Sequence, residues 1–290
     1  MSELRAWIDQ RVEAAGLYRL RDDTAALWLE VLQAFDAVEP PMTVRQVYYA
    51  LVSRGAIDKT EAAYNAVGRH LLRMRRCGAL PYDWIADNTR WMRKPETYSG
   101  MRAYLERGRR AYRRAIWDNQ PAYVEVWCEK DALAGVLYAV TEPWDVPLMV
   151  TRGYPSESFV YEAAETLKEQ HKPVYLYYLG DHDPTGIDIP QNTKAKLREF
   201  GAAFTFEVLA VQPWQIEAWR LPTRPTKKTD TRAAGFEGGS VELDAVPVGT
   251  LRALVQGAIE RHIDPVALEA TRRTEELERQ SFERVLRFLG

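Results

Sequence analysis

Between residues 122 and 211 the chain alternates short apolar runs with amphipathic stretches, and this alternation limits the possible folds more than any other feature. Residues 122–128, 148–151, 174–179 and 204–211 are short, mostly apolar, and rich in aromatic and β-branched side chains, which marks them as strands. Strands that are apolar on both faces belong to a parallel sheet covered on both sides. Residues 130–140, 156–170 and 193–200 have helical spacing, and in the second of these Phe159, Val160, Ala163, Ala164 and Leu167 turn inward. An α/β fold with a Rossmann-like parallel sheet is expected over residues 121–290, closing with two helices after Gly249.

The first 120 residues are patterned differently. Leu4, Trp7, Ile8 and Val12 make one helical stripe, and Leu27, Val31, Leu32 and Phe35 make another, giving an N-terminal helical unit over 1–38. Glu39-Pro40-Pro41 stops that pattern. Thr43 then stands where an N-cap belongs, ahead of a short helix carrying Val44, Val47, Tyr48 and Leu51 and ending near Gly55. Residues 59–77 form a second, basic helix with Tyr64, Val67, Leu71 and Met74 inward; Gly78 ends it, and 79–85 read as a turn with short extended pieces. Helix, turn, basic helix and ribbon is the order of a winged helix-turn-helix over 39–90, although helical bundles also contain short helices. Residues 91–120, with Arg102, Arg107, Arg109, Arg110, Arg113 and Arg114, read as a basic connecting helix.

The net charge of −2 conceals an asymmetry. Residues 1–120 hold 20 Lys/Arg against 15 Asp/Glu, and residues 121–290 hold 19 against 26. Within the first part, residues 69–114 carry 13 basic and 4 acidic side chains. A basic block ahead of an acidic one suggests phosphates as partners for the first and cations for the second; a solvated helix face is the plainer alternative. Cys77 and Cys128 are the only cysteines, too far apart for a zinc finger or a disulfide scaffold. No apolar run is long enough for a membrane span or a signal core, so a cytoplasmic globular protein is expected.

In open parallel sheets, function gathers at the carboxyl ends of the strands. Glu129 closes one such run, and Gly180-Asp181-His182-Asp183-Pro184 follows another. In an extended segment Asp181 and Asp183 point to one side. With Glu129 they would make an oxygen-rich site suited to Mg²⁺, with Mn²⁺ as a substitute. Capping of the following helix is the plainer explanation, and it accounts better for Glu129 or Asp131 than for the Asp-His-Asp run. His182 alternates to the opposite side and is given a structural role.

Glu129-Lys130-Asp131-Ala132-Leu133 after one strand and Asp181-His182-Asp183-Pro184-Thr185-Gly186 after another resemble the Toprim domain of topoisomerases, primases and some nucleases. Gly153-Tyr154-Pro155, the segment Val241-Glu242-Leu243-Asp244-Ala245-Val246, and Thr43-Val44-Arg45-Gln46-Val47-Tyr48-Tyr49 narrow the resemblance to the A subunit of topoisomerase VI and its meiotic double-strand-break relative. The resemblance covers roughly residues 40–250; one departure is Gln46, where that family has Asp. It implies that Tyr49 attacks a DNA phosphate, that Glu129 is a general acid/base or metal ligand, that Asp181 and Asp183 hold Mg²⁺, and that a homodimer cuts duplex DNA.

The residues support part of this independently. On a helix Tyr48 continues the apolar stripe, while Tyr49 lies four residues from Arg45 on the same face. A phenol needs a nearby cation to ionise near neutral pH, and Arg45 is placed to favour phenolate or to hold a phosphate; packing of Tyr49 on Arg45 is the plainer alternative. Arg69, Arg73 and Arg76 share one helix face suited to phosphates, with Arg75 off that stripe. Lys130 and Arg152 lie near the acids, as phosphate ligands or ion-pair partners. The chain has no Gly-rich ATP-binding motif, so a full topoisomerase would need a separate ATPase (B-type) subunit. The alternatives are a Toprim nuclease of the plasmid- or phage-defence kind, using water with Tyr49 structural, and a non-catalytic winged-helix DNA-binding protein.

Overall fold

The computed structural model describes residues 2–38, 40–86, 95–225, 236 and 238–288. It is an α/β protein with a four-stranded, wholly parallel sheet and, among the described residues, eleven α-helices. The strands are β1 (Tyr123–Cys128), β2 (Leu148–Val150), β3 (Val174–Leu179) and β4 (Thr205–Ala210), in the order β2-β1-β3-β4. Val126 lies opposite both Leu148 and Tyr177, so β1 and β3 form the centre and end at the same edge. Alternation along the central strands splits the core. Val124, Val126, Cys128, Tyr177 and Leu179 face one apolar cluster, and Trp127, Val174, Leu176 and Tyr178 face another.

Helices α6 (Ala134–Thr141) and α10 (Val248–Glu260) pack with the first cluster, through Val136, Leu137, Leu251 and Val255. Helices α7 (Glu157–Lys168) and α8 (Pro184–Glu199) cover the other face. Helix α8 is twice the length expected from 193–200. Asp183 caps it and Pro184 occupies its first turn, where proline lacks no useful N–H. Gly186 and Pro190, residue types that disfavour helix interiors, both lie inside it.

The N-terminal helices are α1 (Ser2–Ala14), α2 (Asp22–Asp36), α3 (Val44–Ser53) and α4 (Glu61–Arg76). Thr43 caps α3 in a full capping box: its hydroxyl accepts from Gln46 N at 3.1 Å while its own N–H donates to Gln46 Oε1 at 2.9 Å. Gln46, the departure from the topoisomerase pattern, therefore has a local structural role. After α4 the chain makes a short 3₁₀ turn (Tyr82–Trp84) and a single bridge from Ile85 to Met42, in place of a paired ribbon; residues 87–90 of the expected wing lie outside the described residues.

The connecting helix expected over 91–120 is confined to α5 (Met101–Ala111), and 91–94 lie outside the described residues. Its C-terminal side is drawn out by α11 (Pro265–Phe288): Arg279 donates twice to Tyr112 O, and Glu275 accepts from Arg114 N at 2.8 Å. Five of its six named arginines are paired, Arg102 with Glu106, Arg107 with Glu96, Arg109 with Glu283, Arg113 with Glu142 and Arg114 with Glu278. Much of the basic block thus has carboxylate partners within the chain. The last helix described, α9 (Pro213–Ala218), follows β4. Among the described residues no helix is long and apolar enough to cross a membrane. Residues 221–240, with Pro222, Pro225, Gly235, Gly238 and Gly239 among Lys227, Lys228 and Arg232, read in sequence as a basic loop; of these, 226–235 and 237 lie outside the described residues.

Candidate active site

The ends of β1 and β3 deliver Glu129 and Asp181 to one edge of the sheet. Glu129 N still donates to Leu179 O at 2.9 Å, continuing the ladder by one residue. Its Oε2 accepts from Asp181 N at 3.1 Å, so the two acids are joined through backbone. Gly180 permits this approach, because a Cβ there would lie 2.8 Å from Glu129 Oε2 and 2.6 Å from the Tyr178 ring. Asp181 Oδ1 accepts from Leu243 N at 2.8 Å and pairs with Lys130 Nζ at 3.0 Å. The same ammonium pairs with Asp244 Oδ2 at 2.7 Å.

Asp183 behaves differently from the expected partner of Asp181. Its Oδ1 accepts from Gly186 N at 2.7 Å, so the carboxylate caps α8. The capping explanation therefore applies to the very run it was expected to explain poorly. A Cβ on Gly186 would stand 2.3 Å from Asp181 O, so this turn can close only on glycine.

Burial, then the charge of Asp181, pushes the Glu129 carboxyl up to about 7, against the opposing effect of the Asp181 N–H and Lys130. Asp181 is also raised, by burial, with Lys130 and the Leu243 N–H opposing. Lys130 is raised despite burial, because Asp244 and Asp181 face it. Among the described residues no group of three or more His, Cys, Asp or Glu is arranged to hold a metal ion. The donor chemistry nonetheless fits a hard divalent cation: the nearby acids are oxygen ligands held by backbone N–H groups, and their mutual repulsion already favours added positive charge.

The tyrosine region lies against the residues that follow the basic loop. Tyr48 is buried and donates to Thr60 O at 3.3 Å, as its place on the apolar stripe implies. Tyr49 is equally buried, at 7% exposure, and its hydroxyl donates to Glu242 Oε2 at 3.2 Å. Arg45 Nη1 reaches the same oxygen at 2.8 Å, and Arg224 pairs with the other oxygen. Arg45 does favour phenolate, but burial and the charge and hydrogen bond of Glu242 outweigh it, and the Tyr49 phenol is pushed up to about 12. Arg45 thus acts in the direction expected of it, but burial and Glu242 set the ionisation of Tyr49. Glu242 itself is held below its ordinary value: burial works against its charge, but Lys130, Arg45, Arg224 and the Tyr49 hydroxyl prevail.

The two clusters are adjacent. Glu242 and Asp244 stand two residues apart on one short segment, and its 3₁₀ turn Leu243–Ala245, which packs on α3, directs Glu242 to Tyr49 and Asp244 to Lys130. A cavity of about 560 Å³ lies at this junction, lined by Arg45, Tyr64, Arg75, Lys130, Asp131 and Asp244.

The remaining expected residues are scattered. Arg69 and Arg76 are exposed on α4, whereas Arg73 is half-buried, donating to Tyr18 O at 2.6 Å and lying over Trp28. Arg75, off the expected stripe, is the arginine of α4 that lines the cavity. Arg152 pairs with Asp131 at 3.1 Å, and Lys130 with its two aspartates. His182 is buried, its backbone paired with Val241 and its ring 5.3 Å from Phe236. Sequence reasoning missed Glu242, Asp244, Arg224 and Lys59 as site residues. The first two lay within a segment quoted for its family resemblance, which was the available signal.

No known family model matches the chain, and no curated protein matches it.

Proposed function

We propose that the chain is a Mg²⁺-dependent, DNA-cleaving transesterase similar to the topoisomerase VI A subunit, with a winged helix-turn-helix and a Toprim-type domain, acting on duplex DNA as a homodimer. The observation that carries this reading is the junction itself: α3 sets Tyr49 and Arg45 beside the sheet edge that bears Glu129 and Asp181. In the step, Tyr49 Oη forms a bond to phosphorus and one ester bond to a deoxyribose oxygen breaks, leaving a phosphotyrosyl link. Glu129, with an ionisation near 7, gives a proton to the departing oxygen and is recharged by the proton that the phenol releases. Arg45 holds the phosphate through paired N–H groups. Asp181 and Asp183, the latter while still capping α8 through Oδ1, would hold Mg²⁺ (or Mn²⁺), which when bound supplies positive charge for the phosphate oxygens. Arg69, Arg73, Arg76, Lys130 and Arg152 supply further positive charge toward DNA.

One observation favours a second reading. A phenol pushed up to about 12 is a poor nucleophile as it stands, so a metal-dependent nuclease using water at the sheet edge, with Tyr49 structural, is the competitor. Incubation with supercoiled plasmid and Mg²⁺ or Mn²⁺, quenched with denaturant, separates them. Protein-linked DNA that disappears in Tyr49→Phe is expected. Cleavage that survives Tyr49→Phe but is lost in Asp181→Ala establishes hydrolysis instead. A strictly monomeric species in light scattering would count against staggered double-strand cutting.

A further inference from the structure

We propose that Arg45, Lys59 and Arg224 form a phosphodiester seat beside Tyr49, and that the Glu242 carboxylate fills this seat in the DNA-free protein and is displaced when a DNA phosphate enters. The inference deepens the transesterase reading and rests on it for the identity of the anion.

Glu242 receives the donors a phosphodiester would use. One guanidinium meets each oxygen, Arg45 on Oε2 at 2.8 Å and Arg224 on Oε1, and the Tyr49 hydroxyl adds a third contact at 3.2 Å. A phosphodiester likewise presents two non-bridging oxygens and one negative charge, and arginine forks suit both groups. Exchange of one monoanion for the other keeps the local charge balance, whereas an empty seat would leave two guanidinium groups facing each other. Lys59 supplies charge still to be used: its ammonium donates to Pro222 O at 3.1 Å and Thr223 O at 3.2 Å, lies 5.6 Å from the Tyr49 ring centre, and pairs with no carboxylate among the described residues. A cavity of about 250 Å³, lined by Arg45, Tyr49, Lys59, Arg224 and Glu242, with Glu61 at its side, gives the phosphate room to enter. Departure of Glu242 removes the acceptor that keeps the phenol protonated, so the entering phosphate meets Tyr49 with two guanidinium groups in place of a competing carboxylate.

Glu242→Gln keeps the shape of the side chain and removes its charge. Binding of a fluorescent duplex oligonucleotide in EDTA, read by anisotropy, should tighten at least fivefold in Glu242→Gln and weaken about tenfold in Arg224→Gln. Inorganic phosphate should raise the melting temperature of Glu242→Gln by several degrees more than that of the wild type. Unchanged or weaker oligonucleotide binding by folded Glu242→Gln overturns the inference, as does an equal phosphate shift in both proteins. If Glu242→Gln does not fold, the wild type titrated with phosphate against chloride at matched ionic strength decides: stabilisation peculiar to phosphate and lost in Arg224→Gln supports the seat, and equal effects of both anions overturn it. Neither readout involves cleavage. Phosphate binding without a protein–DNA adduct would sink the transesterase reading and leave the seat; an adduct without the Glu242→Gln response would do the reverse.

Discussion

The two charged clusters at the junction are opposites in composition. At the tyrosine, one buried carboxylate, Glu242, is held among cations, two of them on its oxygens. At the sheet edge, one buried cation, Lys130, is held between two carboxylates, with a third acid, Glu129, nearby. The difference shows in ionisation. Cations hold Glu242 below its ordinary value, whereas Glu129 and Asp181 are raised because burial and mutual repulsion exceed what one lysine offsets. The first cluster is therefore suited to an anion and the second to a cation, which are the two charges a metal-dependent phosphate chemistry must bring together.

The contrast breaks most readily at Lys130. Lys130→Met leaves Asp181 and Asp244 buried without their shared ammonium, and Asp244 Oδ1 already has no hydrogen-bond partner among the described residues. Removing one partner of such a group costs about 3–5 kcal/mol, to be read from urea unfolding at neutral pH. A loss below about 1 kcal/mol would show that the lysine is not what balances the acids.

Glu129 provides a sharper test through pH. Its folded-state ionisation near 7 lies above the ordinary 4.5 of an unfolded glutamate, so the folded protein binds the extra proton between these values. Stability from this group is therefore greatest at low pH and falls as pH rises from 4.5 through 7. Glu129→Gln removes the dependence, so relative to wild type the variant should gain on the order of 3 kcal/mol between pH 4.5 and 8 in parallel urea titrations. A constant difference across that range would place Glu129 in an ordinary, solvated setting.

The smallest effect belongs to the tyrosine cluster. Tyr49→Phe removes one donor from a carboxylate that retains Arg45 and Arg224, so the cost in stability is about 1 kcal/mol. A thermal melt that falls by much more would give the hydroxyl a structural weight comparable to that of the two arginines.

Much of this architecture was legible because it depends on short-range signals. Val174–Leu179 announces a buried strand by composition alone, and Thr43 and Ser156 cap the helices they precede. The start of α8 was hidden because glycine and proline, here Gly186 and Pro190, disfavour helix interiors, although Gly186 is required by the Asp181 carbonyl and Pro184 opens the helix. Contacts made across the fold were out of reach. Tyr49 and Glu242 are 193 residues apart, and helical spacing that pairs Arg45 with Tyr49 carries no trace of the burial and the carboxylate that together outweigh Arg45 at the phenol. Arg75 was set aside for the same reason: periodicity locates a face of α4 but not what lies opposite it.

Glu242 and Asp244 are two residues apart on a segment whose Leu243 N–H is fixed to Asp181 and whose turn rests on α3. Residues of a 3₁₀ turn advance only about 2.0 Å each, so the backbone between them has little slack. If the segment moves to release one acid, it pulls on the other and on the Asp181 bond. Local strain would then carry a signal from one cluster to the other, as an axle turns two wheels, without help from any distant part of the chain.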